Sequence, residues 1–176
     1  LTSELKGNLN GIAVDSSEEM LKIAKKRLKS NRWNIKKMDA FKVSQLNTKF
    51  QVITCFRFIR HFNNIERTKI YSELKSLMEK ESYLIFDAVN KKKWQQIRKI
   101  STFLGKRDIV KVYDQFYTRK ELIEELNNNG LKVIRLVPIL NNYLIQYLFS
   151  FLGSFGYELI CFFEKFKSKN PWEWIV

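Results

Sequence analysis

The chain has 176 residues, 45% of them apolar and 28% charged; these are globular proportions that exclude a disordered or low-complexity protein, and the length fits one domain burying roughly 70% of its unfolded surface. Thirty-two lysines and arginines against 18 acids give a formal charge of +14, a field that attracts polyanions, yet the bases are scattered and accompany abundant Asn, Ile and Phe, which argues for compositional bias over a dedicated nucleic-acid reader. The two cysteines, Cys55 and Cys161, sit in apolar runs with no metal-ligand spacing, so a disulfide framework and a metal centre are both disfavoured and a cytoplasmic protein with reduced thiols is expected.

Leu1 to Lys6 reads as the tail of a helix, and Gly7, Asn8 and Asn10 as a turn into a strand at Gly11 to Asp15. A helix follows from Ser17 to Lys29. Ser16 is the expected cap with Glu19 reaching back to it, and Lys25, Lys26, Arg27 and Lys29 suit the negative end of the helix dipole. Asp15 is thereby held at the carboxyl end of a buried strand, where an ionised carboxylate accepts hydrogen bonds from both ribose hydroxyls of a nucleoside. A second strand, Trp33 to Met38, ends at a second acid, Asp39, which is followed by Ala40.

Asp15 with Ser17, Met20 and Leu21 resembles the end of the second strand and the Ser-x-x-Met-Leu helix start of the class I S-adenosylmethionine-dependent methyltransferases. The resemblance implies a Rossmann-like, doubly wound and mostly parallel α/β sheet with a final antiparallel strand. It also implies S-adenosylmethionine as cofactor, with Asp15 on the ribose and Asp39 on the adenine amino group. Ser16, Met20, Ala40, Phe56 and Arg57 complete the expected cofactor-binding set.

Phe50 to Phe56 is apolar on both faces, as a strand buried between two helix layers should be. It resembles the family's fourth strand and runs into Arg57, Phe58, Ile59, Arg60, His61 and Phe62, which would overhang the site. Asn63 and Glu66 suggest a capped helix with Ile70, Leu74, Leu77 and Met78 on its buried face, and Tyr83 to Asp87 is the next buried strand. From Ala88 the pattern loosens, and residues 88–117 read as a substrate-covering insertion of the kind this family carries. Thr118 and Glu121 form a second capping box for a helix that Gly130 closes in a left-handed conformation, and Leu131 to Pro138 reads as a strand. The passage from Tyr117-Thr118 through Glu121-Leu122 to Gly130-Leu131 resembles the family's approach to its sixth strand.

Residues 140–166 form a long apolar helical region, but Asn142, Gln146, Ser150, Ser154 and Glu158 draw a polar stripe down it. Glu158 in lipid would cost several kcal/mol, so a packed helix is expected and peripheral membrane contact stays open. Asn170 to Val176 reads as the last strand. Residues 1–176 are thus read as a single methyltransferase-like domain.

One family feature is missing. A glycine-rich turn should precede the ribose acid, yet the six glycines, at positions 7, 11, 105, 130, 153 and 156, form no G-x-G. The sequence therefore resembles a methyltransferase lacking its first strand and cofactor loop. Two strands would be left with unpaired backbone groups, at roughly 1–3 kcal/mol for each one buried, and these residues alone are expected to bind cofactor weakly.

Methyl transfer needs alignment of nucleophile, methyl and sulfur more than a fixed triad. The only histidine, His61, is the candidate catalytic base. Arg57 and Arg60 are candidates for holding an acidic or phosphorylated acceptor, and Tyr113 and Tyr117 for lining its pocket. The expected activity is methyl transfer to a small molecule or a glycan- or lipid-linked acceptor, impaired in these residues alone, with no metal. Two rivals remain: a non-catalytic binding module on the same scaffold, and a basic protein of membrane surfaces or nucleic acid.

Overall fold

The computed structural model describes residues 9–28, 32–103, 113–139, 153–165 and 171–176. Strand β1 (Gly11–Asp15) leads into helix α1 (Glu18–Arg27) and returns to a parallel strand β2 (Trp33–Lys37). Gly11 lies beneath Trp33, its register partner, and a Cβ there would run into the indole ring. The cap of α1 is Ser17 and not Ser16: Ser17 Oγ accepts from the Met20 amide at 3.3 Å. The displacement has a local cause, since Asp15 Oδ1 takes the Ser17 amide at 2.8 Å and turns the chain one residue ahead of the helix.

After β2 a short 3₁₀ segment (Ala40–Leu46), capped by Asp39, occupies what reads in the sequence as loop. Strand β3 (Phe50–Cys55), the 3₁₀ turn Ile59–His61 and helix α2 (Asn64–Ser76) follow. Strand β4 spans Met78–Asn90, far longer than the Tyr83–Asp87 expected, because its polar first residues still pair while Phe86–Asn90 are buried. Helix α3 (Lys91–Phe103), strand β5 (Phe116–Tyr117), helix α4 (Arg119–Asn128), strand β6 (Val137–Ile139), helix α5 (Gly153–Glu164) and strand β7 (Glu173–Ile175) complete the order. β6 is shorter than its sequence suggests: residues 131–136 run extended but lie outside any ladder among the described residues. Of the long apolar region, α5 is described as helix, and residues 140–152 lie outside the described residues.

β3 pairs with β4 in parallel, β4 with β7 and β7 with β6 antiparallel, and the short β5 joins the end of β4 in parallel. The antiparallel last strand is as expected. β1 and β2 form a separate two-stranded ladder, and among the described residues none joins it to β3. The strand at Phe50–Cys55 is correspondingly not enclosed on both faces. Val52 is 51% exposed and its register partner Tyr83 is exposed too.

The core lies where α2 and α4 meet β4: Ile70, Tyr71 and Leu74 pack with Leu122, Leu126, Phe86, Ala88, Tyr117 and Trp174, and Val14 joins from β1. Beneath it Arg67 makes a two-point pair with Glu125 (Nε to Oε1 2.8 Å, a second nitrogen to Oε2 2.6 Å) and donates to the Phe62 carbonyl at 2.6 Å. Tyr71 and Tyr117 both donate to Glu125 Oε1, at 3.1 and 2.8 Å. Burial works against the Arg67 charge, but Glu125 outweighs it and holds the guanidinium protonated. Among the described residues no helix is long and apolar enough to cross a membrane.

Candidate functional site

Two clusters stand at the carboxyl ends of the parallel strands, and the first is the pair of acids. Asp15 is the last residue of β1, opposite Lys37 at the end of β2, and the Met38 amide donates to the Asp15 carbonyl at 3.1 Å, so Asp39 leaves the neighbouring strand beside it. Asp15 is half-buried and Asp39 exposed. Each carboxylate spends one oxygen on its own turn, Asp15 on Ser17 and Asp39 on the Phe41 amide at 3.0 Å. The second oxygen of each remains an acceptor, the donor-poor, acceptor-rich chemistry that ribose hydroxyls or an adenine amino group require. These residues therefore fit a nucleoside. Ser16 and Met20 are exposed next to Asp15, and Ala40 and Phe56 are partly covered.

The second cluster forms where β3 and β4 end. Arg57 adopts φ +54°, a left-handed conformation uncommon outside glycine and asparagine, and its amide donates to Asp87 Oδ1 on β4. The 3₁₀ turn that follows carries Arg60 and His61. Arg60 is only 14% exposed and lies among three carboxylates: Asp87 at 3.8 Å, Glu173 at 3.6 Å and Asp114 at 3.4 Å. Glu173 faces Val89 across the β4–β7 ladder, which makes Asp87 its diagonal neighbour. Burial, and then the hydrogen bond and charge of Asp87, push the Glu173 carboxyl up to about 7. Burial foremost, then Asp87, pushes the Cys55 thiol up to about 12, which leaves it no nucleophilic role.

His61 is partly covered, and Nδ1 lies 2.9 Å from Asp114 Oδ1 and 3.3 Å from the Tyr113 carbonyl oxygen. The Gln115 amide donates to the Arg60 carbonyl at 2.7 Å and ties this segment to the turn. One residue further on, Phe116 stacks on Trp94 at 4.7 Å between centroids, with Trp172 edge-on to Trp94 at 6.1 Å. An aromatic wall thus adjoins the histidine. It is anchored by Asn90, which is buried and donates through Nδ2 to the Pro171 carbonyl at 2.8 Å.

The structure brings His61, Arg60 and Tyr113 together but changes what two expected residues can do. Arg60, expected to hold an acidic acceptor, has its charge turned inward on three carboxylates whose field repels such a group. Tyr117, expected to line a pocket, is 2% exposed with its hydroxyl committed to Glu125. Tyr113 is exposed and donates to Gln115 Oε1 at 2.9 Å. Asp87, Asp114 and Glu173 were not singled out from sequence. Asp87 had a signal, as an acid ending an apolar strand, and so did Glu173, an acid between two tryptophans in an alternating strand; Asp114 had none.

Two open grooves of about 320 and 330 Å3 lie elsewhere, both lined by residues 132–135, the first also by β4. Among the described residues no group of three or more His, Cys, Asp or Glu side chains is arranged to hold a metal ion.

Residues 1–81 match the family described as "Methyltransferase domain". No curated protein matches the chain. Among solved structures it is similar to magnesium protoporphyrin IX methyltransferase from Synechocystis with bound SAH, at 21% identity and TM-score 0.54, over 71% of this chain and 55% of that one. It is also similar to an S-adenosylmethionine-dependent methyltransferase from Clostridium acetobutylicum (20% identity, TM-score 0.53, 73% of this chain and 67% of that one). A third is the mitomycin 7-O-methyltransferase (17%, TM-score 0.57, 74% and 38%). The chain therefore spans about half the length of the first of these. At such identities the likeness is one of fold, and with the family match over residues 1–81 it identifies the architecture: this chain has the fold of the class I S-adenosylmethionine-dependent methyltransferases.

Proposed function

We propose that this protein transfers a methyl group from S-adenosylmethionine to a small molecule or to a glycan- or lipid-linked acceptor. The observation that carries the reading is the pair of strand-end carboxylates, Asp15 and Asp39, each with one oxygen committed to its own turn and one left as an acceptor. In this reading Asp15 takes the ribose hydroxyls and Asp39 the adenine amino group. Ser16, Met20 and Ala40 border the nucleoside, and Phe56 and Arg57 lie toward the methionine half, where an aromatic face favours the sulfonium. The cofactor supplies an electrophilic methyl group on sulfur. His61 stands at the neighbouring strand end as the group that takes a proton from the acceptor, and the segment 88–117, with Tyr113, Trp94 and Phe116, covers it.

Binding by residues 1–176 alone is proposed to be weak. Support comes from the absence of a G-x-G turn in the sequence and from the lack, among the described residues, of any ladder joining β1 to β3. A fixed backbone next to the ribose acid is what a tight nucleoside site needs.

Isothermal titration calorimetry of the complete protein with S-adenosylhomocysteine tests the assignment. Micromolar affinity is expected, with Asp15→Ala weakening it at least tenfold, about 1.4 kcal/mol. Retention of full affinity by both Asp15→Ala and Asp39→Ala would overturn the site.

A further inference from the structure

His61 is the only histidine of the chain, and its ring sits on the short turn that leaves β3. Among the described residues both of its polar contacts fall on one nitrogen, Nδ1: the Asp114 carboxylate at 2.9 Å and the Tyr113 carbonyl at 3.3 Å. Both are acceptors and neither has a proton to give. An unprotonated Nδ1 would place its lone pair against two oxygen lone pairs, so the neutral ring must carry its hydrogen there. A free imidazole side chain prefers the opposite tautomer.

We propose that Asp114 is the positioning residue of His61. It holds the ring as the Nδ1–H tautomer, so that Nε2 keeps the lone pair that receives the proton of an acceptor hydroxyl. The inference rests on the methyl-transfer reading above and narrows its acceptor to a hydroxyl, since a carboxylate acceptor would need no base at all. In the transfer, the acceptor oxygen forms a bond to the methyl carbon of the sulfonium donor. The carbon–sulfur bond breaks with its electron pair going to sulfur, and the hydroxyl proton passes to Nε2. The imidazolium so formed has its charge against Asp114, and the proton then leaves to solvent.

Asp114 is itself held in place. Arg60 Nε stands 3.4 Å behind the same carboxylate oxygen, and the Gln115 amide fastens the next residue to the Arg60 carbonyl. The carboxylate is largely covered while the ring it orients is about one-third exposed, with side-chain exposures of 21% and 34%. A covered orienting acid and a partly open imidazole make a directional proton acceptor.

Because there is one imidazole, its nitrogen resonances can be read without assignment ambiguity. In uniformly 15N-labelled protein, a long-range 1H–15N correlation spectrum taken about two pH units above the ordinary histidine pKa reports which nitrogen is protonated. The expected spectrum has Nδ1 at a protonated, pyrrole-like shift and Nε2 at a pyridine-like shift. Asp114→Ala should move the population toward Nε2–H until Nδ1–H is the minor form, and Asp114→Asn, which keeps an acceptor oxygen, should restore most of it. Should Asp114→Ala not fold, Asp114→Ser decides the same point, its hydroxyl being too short to reach Nδ1. A dominant Nε2–H tautomer in the wild type overturns the proposal. So does a folded Asp114→Ala or Asp114→Ser protein with the Nδ1–H population unchanged, for then the Tyr113 carbonyl alone sets the ring. The readout needs neither cofactor nor acceptor, so its failure is separable from a failure to bind S-adenosylhomocysteine.

Discussion

At the scale of single residues, the molecule concentrates its polar energetics on two buried carboxylates of opposite character. Glu125 is fully matched, since four donors from Arg67, Tyr71 and Tyr117 reach its two oxygens. Asp87 is undermatched: it takes the Arg57 amide on Oδ1, while Oδ2 is buried with no hydrogen bond among the described residues. The first arrangement stabilises the fold and the second leaves an electrostatic imbalance at the site. Removing Glu125 would strand a buried guanidinium and two phenol hydroxyls, so Glu125→Ala should lower unfolding stability by about 3 kcal/mol or more in urea titration. A loss under about 1 kcal/mol would show the network to be dispensable. Neither arrangement was visible in the sequence. Arg67 and Glu125 are 58 positions apart, and nothing in a one-dimensional pattern pairs them.

At the scale of elements, the local chemistry of helix ends is where reading the sequence succeeds. Asn63 with Glu66 and Thr118 with Glu121 both form reciprocal capping boxes, at the starts of α2 and α4. Gly130 closes α4 at φ +69°. These work from sequence because donor and acceptor are three residues apart, whatever the tertiary structure does. Asn63→Ala and Thr118→Ala should each cost about 1 kcal/mol, and Gly130→Ala about 1–2 kcal/mol from the left-handed backbone, all measurable by thermal or chemical unfolding. Strand limits are less legible. β4 outruns its apolar stretch because its first residues pair without being buried, and residues 131–136 are strand-like in pattern without a partner strand in the ladder. Pairing is a property of two segments, so a single segment's pattern underdetermines it.

For the whole molecule, the sheet is what assembles the site. β7 returns beside β4 from the far end of the chain and brings Glu173 next to Asp87 and Arg60, so three carboxylates share one guanidinium. The consequence is a stability that depends on pH in a stated direction. The Glu173 carboxyl is raised in the folded protein to about 7 from an ordinary 4.5. The folded state therefore binds the proton more tightly, and this contribution is fully present below about 4.5 and lost as pH rises through about 7. Glu173→Gln, always neutral, should escape the loss. Its stability relative to wild type should rise between pH 5 and pH 8 by on the order of 1–3 kcal/mol in denaturant titrations at the two pH values. A relative stability that stays flat or falls over that interval would contradict the shared-proton arrangement.

The sequence by itself determined the alternation of strand and helix, the two acids Asp15 and Asp39 at strand ends, the helix caps and the closing glycine. Each of these is written in residues within a few positions of one another, where backbone geometry alone places them. Only the tertiary structure decided that Arg60 faces inward, that Tyr117 belongs to the core, that the ladder is interrupted between β1 and β3, and that Asp114 and Glu173 join His61 and Asp87. Those outcomes depend on segments up to 113 positions apart, as Arg60 and Glu173 are, meeting through burial and strand pairing. Such meetings are set by which surfaces exclude water together and leave no trace in the local order of residues.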